Sequence, residues 1–400
     1  MLTVEQAQRE LADSVTQICD AESVDLLNAL GCVVVDDVVS SLFVPPTDNS
    51  AMDGFALRVA DITDEPLIIS QRIPAGAQPH ALKAGTAARI FTGGVMPANA
   101  DAVVIQENCE YTPESDVVKI NKAVLAGANI RPKGQDISQG DIVVTSGKRL
   151  SAVDLGLIAS VGLDKVAVRK PLKVAIFSTG DELVEPGQPL QTGQIYNSNR
   201  VSLTALCKQL GYDAIDCGIV EDTLEATMVA LKNAAKIADV VISSGGVSVG
   251  EEDHIKPAVE ALGSLDLWKV QMKPGKPVAY GKIAEVPFFG LPGNPVSSYI
   301  VFQLLAVPLL ARLQGENHHM PSVYQVHSGF DKASVTREEY IRVRLVKNEL
   351  GVAHLERFDN LSSGVMTSLS WADGLVRQSI DEQIIAGELV DFLPLKQGML

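Results

Sequence analysis

Cysteine and histidine are scarce in this 400-residue chain, and neither is spaced for metal or disulfide chemistry. Cys19, Cys32, Cys109, Cys207 and Cys217 are odd in number, scattered and never arranged as C-x-x-C, which suggests neither a disulfide framework nor a zinc knuckle and points to reduced core residues. The six histidines form no H-E-x-x-H, and His318-His319 falls in a polar, proline-bounded stretch that reads as a loop. Positive charge is in deficit too. With 33 Lys and Arg against 49 Asp and Glu the formal net charge is −16, which argues against nucleic acid or an anionic membrane as partner. A small anionic ligand stays open, because charges beyond roughly 8 Å are screened, while one lysine about 4 Å from an anion at an effective dielectric near 20 contributes on the order of 4 kcal/mol. Long apolar runs are missing: the longest, 299–311, is broken by Gln303 and Pro308 and is too short to span a bilayer. Residues 1–11 carry Glu5, Arg9 and Glu10 and lack the apolar core of a signal peptide, so a cytoplasmic location is expected.

Neither G-x-G-x-x-G nor G-x-x-x-x-G-K-[ST] follows the glycine-rich stretch that is present, Ala238-Asp-Val-Val-Ile-Ser-Ser-Gly-Gly-Val-Ser-Val-Gly250. Val240, Val241 and Ile242 read as a buried strand, and a helix is predicted to begin at Glu251. Gly245, Gly246 and Gly250 between them would let backbone N–H groups approach an anion, although the same residues also suit an ordinary tight turn.

The length calls for two to four domains. Residues 2 to about 30 read as helical with Gly31 as the stop, and 33–39 as a strand. From 56 to about 140, short β-like runs between Gly and Pro predict a small β-rich domain. An apolar helix over 152–160 and a linker at 169–171 follow. Residues 172 to about 313 alternate as strand 173–178, helix 200–210, strand 214–220, helix 224–237, strand 239–243, helix 254–262, strand 267–270, a β pair near 278–282 and 288–290, and a long helix from 295. That alternation predicts a doubly wound, mostly parallel α/β sheet, whose ligands bind beyond the carboxyl ends of the strands. Three polar loops converge there: 178–182, the glycine loop and 291–295. The tail, 323–400, reads as a small β-barrel or sandwich.

Two groups of residues could carry chemistry. Lys269, Lys273 and Lys276 lie in Lys269-Val-Gln-Met-Lys-Pro-Gly-Lys-Pro277, where two prolines stiffen the backbone, and they suit an anion site or a lysine-decorated edge strand. Asp181, Glu182, Asp222 and Asp253 recur after successive strands. Carboxylates gathered near phosphates suit one Mg²⁺, and each alone suits a helix cap.

Six ordered motifs then carry a resemblance: Asn49-Ser-Ala-Met-Asp-Gly-Phe-Ala56, Ser178-Thr-Gly-Asp-Glu-Leu183, Gln194-Ile-Tyr-Asn-Ser-Asn199, Ser243-Ser-Gly-Gly-Val-Ser-Val-Gly250, Lys273-Pro-Gly-Lys-Pro277 and Leu291-Pro-Gly-Asn-Pro295. Together they closely resemble the molybdopterin molybdenumtransferases, the molybdenum insertases of cofactor synthesis. The resemblance implies an elongated helical domain (1–40 plus 141–171), an inserted β-rich domain (41–140), an α/β molybdopterin-binding domain (172–321) and a C-terminal β-barrel (322–400). It also implies a homodimer with a cross-subunit cleft, adenylylated molybdopterin and molybdate as substrates, Mg²⁺ as cofactor and release of AMP. The adenylyltransferase and recipient molybdoenzymes become expected partners.

Residue by residue, the resemblance implies that Asp53, Thr92, Arg131 and Asp136 come from the partner subunit, with Asp53 catalytic. Glu182, Asp222 and Asp253 would hold Mg²⁺ and substrate, and Lys269, Lys273 and Lys276 phosphate and molybdate. Ser244, Gly245, Gly246, Ser248, Pro292 and Pro295 would form the cofactor-binding loops, and Arg342 and Ser363 would help hold molybdate. Phe55 stands where the family usually has Tyr, His254 where Tyr is common, and Gln135 where Glu is frequent. The rival readings are molybdopterin adenylyltransferase, whose loop typically reads Gly-Gly-Thr-Gly, and a molybdopterin-binding scaffold, whose long linker and second α/β copy have no counterpart here. A nicotinamide oxidoreductase lacks its glycine fingerprint.

Overall fold

The computed structural model describes residues 1–247, 253–317, 320–347 and 349–395, with 267 and 268 described by backbone alone. Ser248, Gly250, Glu251, Glu252 and His318-His319 therefore lie outside the described residues. Strands Asp213–Val220, Lys173–Thr179, Val240–Ser244 and Val286–Leu291 run parallel, in that order from one edge of a six-stranded sheet. Pro277–Ile283 and Gly263–Lys269 continue to the other edge as antiparallel neighbours. Because side chains alternate across a strand, one strand feeds two cores. Val174 and Ile176 pack with Leu203 and Ile300 on one face, and Ala175 and Phe177 with Leu231, Ile255 and Phe288 on the other.

The helices start where the sequence supplies a cap. Asn197 accepts from the Arg200 N–H at the head of Ser198–Gln209, and Thr223 accepts from the Ala226 N–H at the head of Leu224–Ile237. The helix expected from Glu251 is described from Ile255 to Leu262.

The apolar run becomes a helix spanning Pro295–Gln314, long and apolar enough by composition to cross a membrane, yet 78% of its most apolar window is buried inside the protein. Its middle, Phe302–Ala306, is a π-turn. Pro308 has no N–H to offer the carbonyl four residues back, and Gln8 Nε2 donates to that carbonyl, Leu304 O, at 2.7 Å. A helix-breaking residue thus creates the docking point for the N-terminal helix.

The helical reading of residues 2 to about 30 is corrected: only Val4–Asp13 is α-helical, and Ala21–Asp25 is a strand paired antiparallel with Lys165–Arg169. Tertiary pairing overrides the helical spacing of Leu26, Leu27 and Leu30, of which Leu26–Asn28 forms a single 3₁₀ turn. The expected strand over 33–39 contracts to Val38–Val39, paired with Ile142–Val144. The linker read at 169–171 begins inside the strand Lys165–Arg169. In this first unit Ala152–Ser160 is a second helix beside the short paired strands, while Val4–Asp13 packs against the long helix of the α/β unit.

Residues 54–120 form a six-stranded sheet in the order 102–105, 54–57, 86–90, 67–73, 117–120, 109–110. In the C-terminal unit Tyr324–His327, Leu389–Pro394, Gly374–Gln378, Glu338–Lys347 and Ala353–Arg357 are paired in that order. A bridge between Ser328 and Leu355 brings the two ends together as a barrel.

Candidate functional site

The carboxyl ends of the parallel strands open into a cleft of about 690 Å³, and each wall comes from a different loop. In chain order, Thr179 ends the first strand and Gly180 and Glu182 follow it; Asp222 follows the second, Gly245, Gly246 and Val247 the third, and Pro292, Gly293 and Asn294 the fourth. The Lys273–Pro277 loop closes one side, and Arg337, Glu339, Arg342 and Ser362-Ser363 from the C-terminal barrel close another.

Backbone geometry explains the glycines. Gly246 sits at φ +66°, and a Cβ there would lie 2.6 Å from Ile255 Cγ1 and 2.8 Å from Thr179 Oγ1. Gly245 donates its N–H to Leu291 O at 3.0 Å, which zips two loops together. Asn199 completes the weld: its Nδ2 donates to Ser244 Oγ at 2.9 Å and to Gly293 O at 2.7 Å. Asn294 caps the long helix without a side-chain hydrogen bond, and Ser363 O accepts from Val296 N at 3.0 Å. The barrel loop is thereby docked on the helix start.

The cations of the cleft differ in their commitments. Lys273 Nζ lies 3.3 Å from Glu339, whose carboxylate, only 3% exposed, also takes Lys332 at 3.0 Å. Arg342 is 1% exposed, donating from Nε to Ser368 Oγ at 3.1 Å and from Nη2 to the carbonyls of Asn360 and Ser362 at 3.2 and 3.1 Å. Burial pushes its guanidinium below the usual value, with Glu339 opposing. Lys276 is exposed and has no ion-pair partner among the described residues. Opposite them stand the acids: Glu182 lies over Gly180, and Asp253 Oδ1 accepts from Ile255 N at 3.2 Å.

Of the residues singled out from sequence, Glu182, Asp222, Asp253, Lys273, Lys276, Gly245, Gly246, Pro292, Arg342 and Ser363 line this one cleft. Ser244 sits just behind it, buried and held by Asn199. Pro295 opens the long helix without lining the cleft, and Lys269, exposed opposite Pro277 at a strand end, does not line it either. Ser248 lies outside the described residues.

Asp53, Thr92, Arg131 and Asp136 lie on the exposed surface of the β-rich unit and none lines the cleft. Asp53 Oδ1 accepts from Thr92 N at 2.7 Å and from Thr92 Oγ1 at 2.8 Å. Those two bonds, the backbone one first, hold its carboxyl below the usual range. Arg131 is brought alongside by the pairing of Ile130–Arg131 with Asn49–Ser50, and the Asp136 N–H is fixed by Val44 O. Sequence reading gave no role to Asn199, Glu339 or Arg337. Asn199 closes one of the motifs, whereas the other two sit in a strand region with no local signature.

A doubly wound sheet with an acid-and-cation cleft at its strand ends, walled by a second domain, defines a multidomain α/β protein whose cleft lies where ligands of such sheets bind. Family profiles described as "MoeA N-terminal region (domain I and II)", "Probable molybdopterin binding domain" and "MoeA C-terminal region (domain IV)" match residues 2–162, 175–312 and 328–395. A protein from Haemophilus influenzae named molybdopterin molybdenumtransferase is 40% identical over 318 residues, 79% of this chain and 78% of that one. A Nostoc protein of the same name is 40% identical over 74% of this chain and 70% of its own. Two structures titled as molybdopterin biosynthesis moeA protein from Pyrococcus horikoshii superpose with TM-scores of 0.78 and 0.83 at 33% and 26% identity, covering 98% or more of either chain. The chain belongs to the molybdopterin molybdenumtransferase family.

Proposed function

We propose that this chain transfers molybdenum from molybdate to molybdopterin in molybdenum cofactor synthesis, taking the adenylylated form and releasing AMP. The observation that carries the reading is the two-sided cleft, with Glu182, Asp222 and Asp253 on one wall and Lys273, Lys276 and Arg342 on the other. An adenylylated phosphate needs both signs: cations for its oxygens and for molybdate, and carboxylates for a metal.

The donor set fits Mg²⁺. Three carboxylates from three loops face one cleft, yet among the described residues no three metal-binding side chains are grouped closely enough to hold an ion alone. That suits an ion that takes one or two carboxylates and fills its sphere with water and phosphate oxygens. When bound, Mg²⁺ would withdraw charge from the phosphoryl oxygens. The protein's part is to orient: the glycine loop lets the ligand lie against backbone, Lys276 meets an oxyanion, and the buried Arg342 holds the 360–362 carbonyls so that Ser363 faces the cleft.

Asp53, Thr92, Arg131 and Asp136 complete the site from a second copy in a homodimer. Asp53 and Thr92 are bonded to each other, all four side chains are exposed, and none of the four lines the cleft of its own chain, which supports this reading. A cytoplasmic location, among the adenylyltransferase and the molybdoenzymes that receive the product, accords with it.

Purified protein given adenylylated molybdopterin, MgCl₂ and molybdate should release AMP and yield a product that activates a cofactor-free molybdoenzyme. AMP release without molybdenum incorporation overturns the insertion assignment. Mixing inactive Asp53→Ala with inactive Glu182→Ala should restore part of the activity through mixed dimers carrying one intact cleft, and no recovery overturns the cross-subunit site.

A further inference from the structure

Arg89 of the β-rich unit is 8% exposed, and its hydrogen bonds to described residues go to neutral oxygens, not to a carboxylate. Nη1 donates to Gly54 O at 3.1 Å and Nη2 to Gln106 Oε1 at 2.6 Å. The charge is covered by rings: the guanidinium carbon lies 5.0, 4.8 and 5.6 Å from the centres of Phe55, Phe91 and Tyr111. Phe55 is its direct cross-strand partner, since Gly54–Leu57 pairs with Thr86–Ile90 in a register that sets Phe55 opposite Arg89. Burying a cation without a counter-charge is costly, and an apolar side chain would fill the same aromatic cage.

What the two bonds reach is Asp53. Gly54, whose carbonyl takes Nη1, is the next residue in the chain, and Gln106, whose side chain takes Nη2, donates its own N–H to Asp53 O at 3.1 Å. Three residues beyond Arg89, Thr92 holds the Asp53 carboxylate by its N–H and its hydroxyl, both on Oδ1. One segment, 89–92, therefore fixes the main chain of Asp53 at one end and its carboxylate at the other. Gly54 leaves no slack between them, because a Cβ there would lie 2.0 Å from Val104 O.

We propose that Arg89 is a positioning residue, whose guanidinium fork ties Gly54 and Gln106 together behind Asp53 and so sets where that carboxylate stands. The proposal rests on the reading that Asp53 serves the reaction in the cleft of the second copy. A lysine can stack on the same rings but lacks the planar fork that meets both oxygens at once.

The test compares full-length wild type, Arg89→Met, Arg89→Lys and Gln106→Leu by steady-state turnover of adenylylated molybdopterin with MgCl₂ and molybdate, by melting temperature, and by NMR titration of the Asp53 carboxyl. Arg89→Met should lower kcat about a hundredfold, the loss for a misplacement of about 1 Å, with KM within about twofold and Arg89→Lys in between. Its melting temperature should stay near that of the wild type, because Met fills the cage. Gln106→Leu should lower kcat about threefold to tenfold, the weight of one hydrogen bond. It keeps the Arg89 charge and its rings, so an upward move of the Asp53 titration toward 3.8 in this variant reports lost placement and not lost charge. Wild-type kcat in both Arg89→Met and Gln106→Leu overturns the proposal, as does Arg89→Met that loses stability without losing kcat, which would make Arg89 structural. If Arg89→Met does not fold, Gln106→Leu decides by the same two readouts. A wild type that releases no AMP overturns the reading of what Asp53 does, and the titration, which needs no substrate, then decides on Arg89: unmoved in Gln106→Leu, it overturns the proposal.

Discussion

The ammonium of Lys273 stands 3.3 Å from the carboxylate of Glu339, so a loop of the α/β sheet and a strand of the C-terminal barrel share one charge pair at the rim of the cleft. The pair is lopsided: Glu339 is buried, whereas the Lys273 side chain is 50% exposed. Removing the acid strands Lys332, whose side chain is 15% exposed, more than it strands Lys273. Glu339→Gln should therefore cost about 2 kcal/mol, below the 3–5 typical of a fully buried pair because water relieves Lys273. Urea unfolding checks this, and an unchanged midpoint would show that the barrel is fastened to the cleft by backbone pairing alone.

Asp53 gives a pH dependence with a definite sign. Its folded carboxyl titrates below the ordinary 3.8, because Thr92 donates to the ionised form through its N–H and then its hydroxyl. A depressed acid contributes stability that is fully present above its unfolded value and is lost as pH falls through its folded value. Asp53 is thus a carboxylate throughout the neutral range. Thr92→Val removes the hydroxyl donor and keeps the N–H, so the Asp53 titration followed by NMR should move upward and remain below 3.8. Asp53→Asn should lose activity with the oligomeric state unchanged, and dissociation would instead make Asp53 an interface residue.

Asn199 holds the loops in register with two hydrogen bonds from one amide nitrogen. Asn199→Ala leaves Ser244 Oγ and Gly293 O without that donor and should cost about 1–3 kcal/mol. Because the loops carry the cleft floor, kcat/KM should fall further than stability implies, by about a hundredfold for an error of about 1 Å in placement. Asn199→Asp cannot donate and should be no better. Activity close to wild type in both variants would show that the Gly245 to Leu291 backbone bond aligns the loops without help.

The α/β unit was legible because its signals are local. Thr223 and Asn197 cap their helices, and the run at 240–242 is buried as read, with its strand described as Val240–Ser244. The cleft acids could be found because they recur after strands, a pattern set by chain direction. The N-terminal region was misread for the opposite reason. Ala21–Asp25 has no strand pattern of its own and is extended because Lys165–Arg169, some 140 residues later, pairs with it. Arg337 and Glu339 escaped because their role depends on a barrel strand meeting Met272–Lys273, a contact that no spacing within 330–345 encodes. Arg342 was found only through resemblance, and its hydrogen bonds to loop carbonyls give it a different task from direct anion contact.

Arg149 makes a final prediction about how the first unit is fastened to the α/β unit. Its Nη1 donates to Gly31 O at 2.7 Å and Leu210 O at 3.0 Å, while Nη2 reaches Gln314 Oε1 and Glu316 Oε2, both at 2.9 Å. The guanidinium also lies over the Tyr212 ring, 5.7 Å from its centre. One side chain therefore bridges the turn at Gly31, the end of a core helix and the end of the long helix, with Asn317 N adding a bond to Gly147 O nearby. Arg149→Met keeps much of the apolar stem but leaves Glu316, 16% exposed, and two carbonyls without their donor, which should cost about 3 kcal/mol. The loss falls on the junction rather than on either core, so scanning calorimetry should show one transition splitting into two. Arg149→Lys reaches fewer of these acceptors at once and should restore only part of the stability. A single transition at the wild-type temperature would show that the paired strands and the Gln8–Leu304 bond hold the two units together unaided.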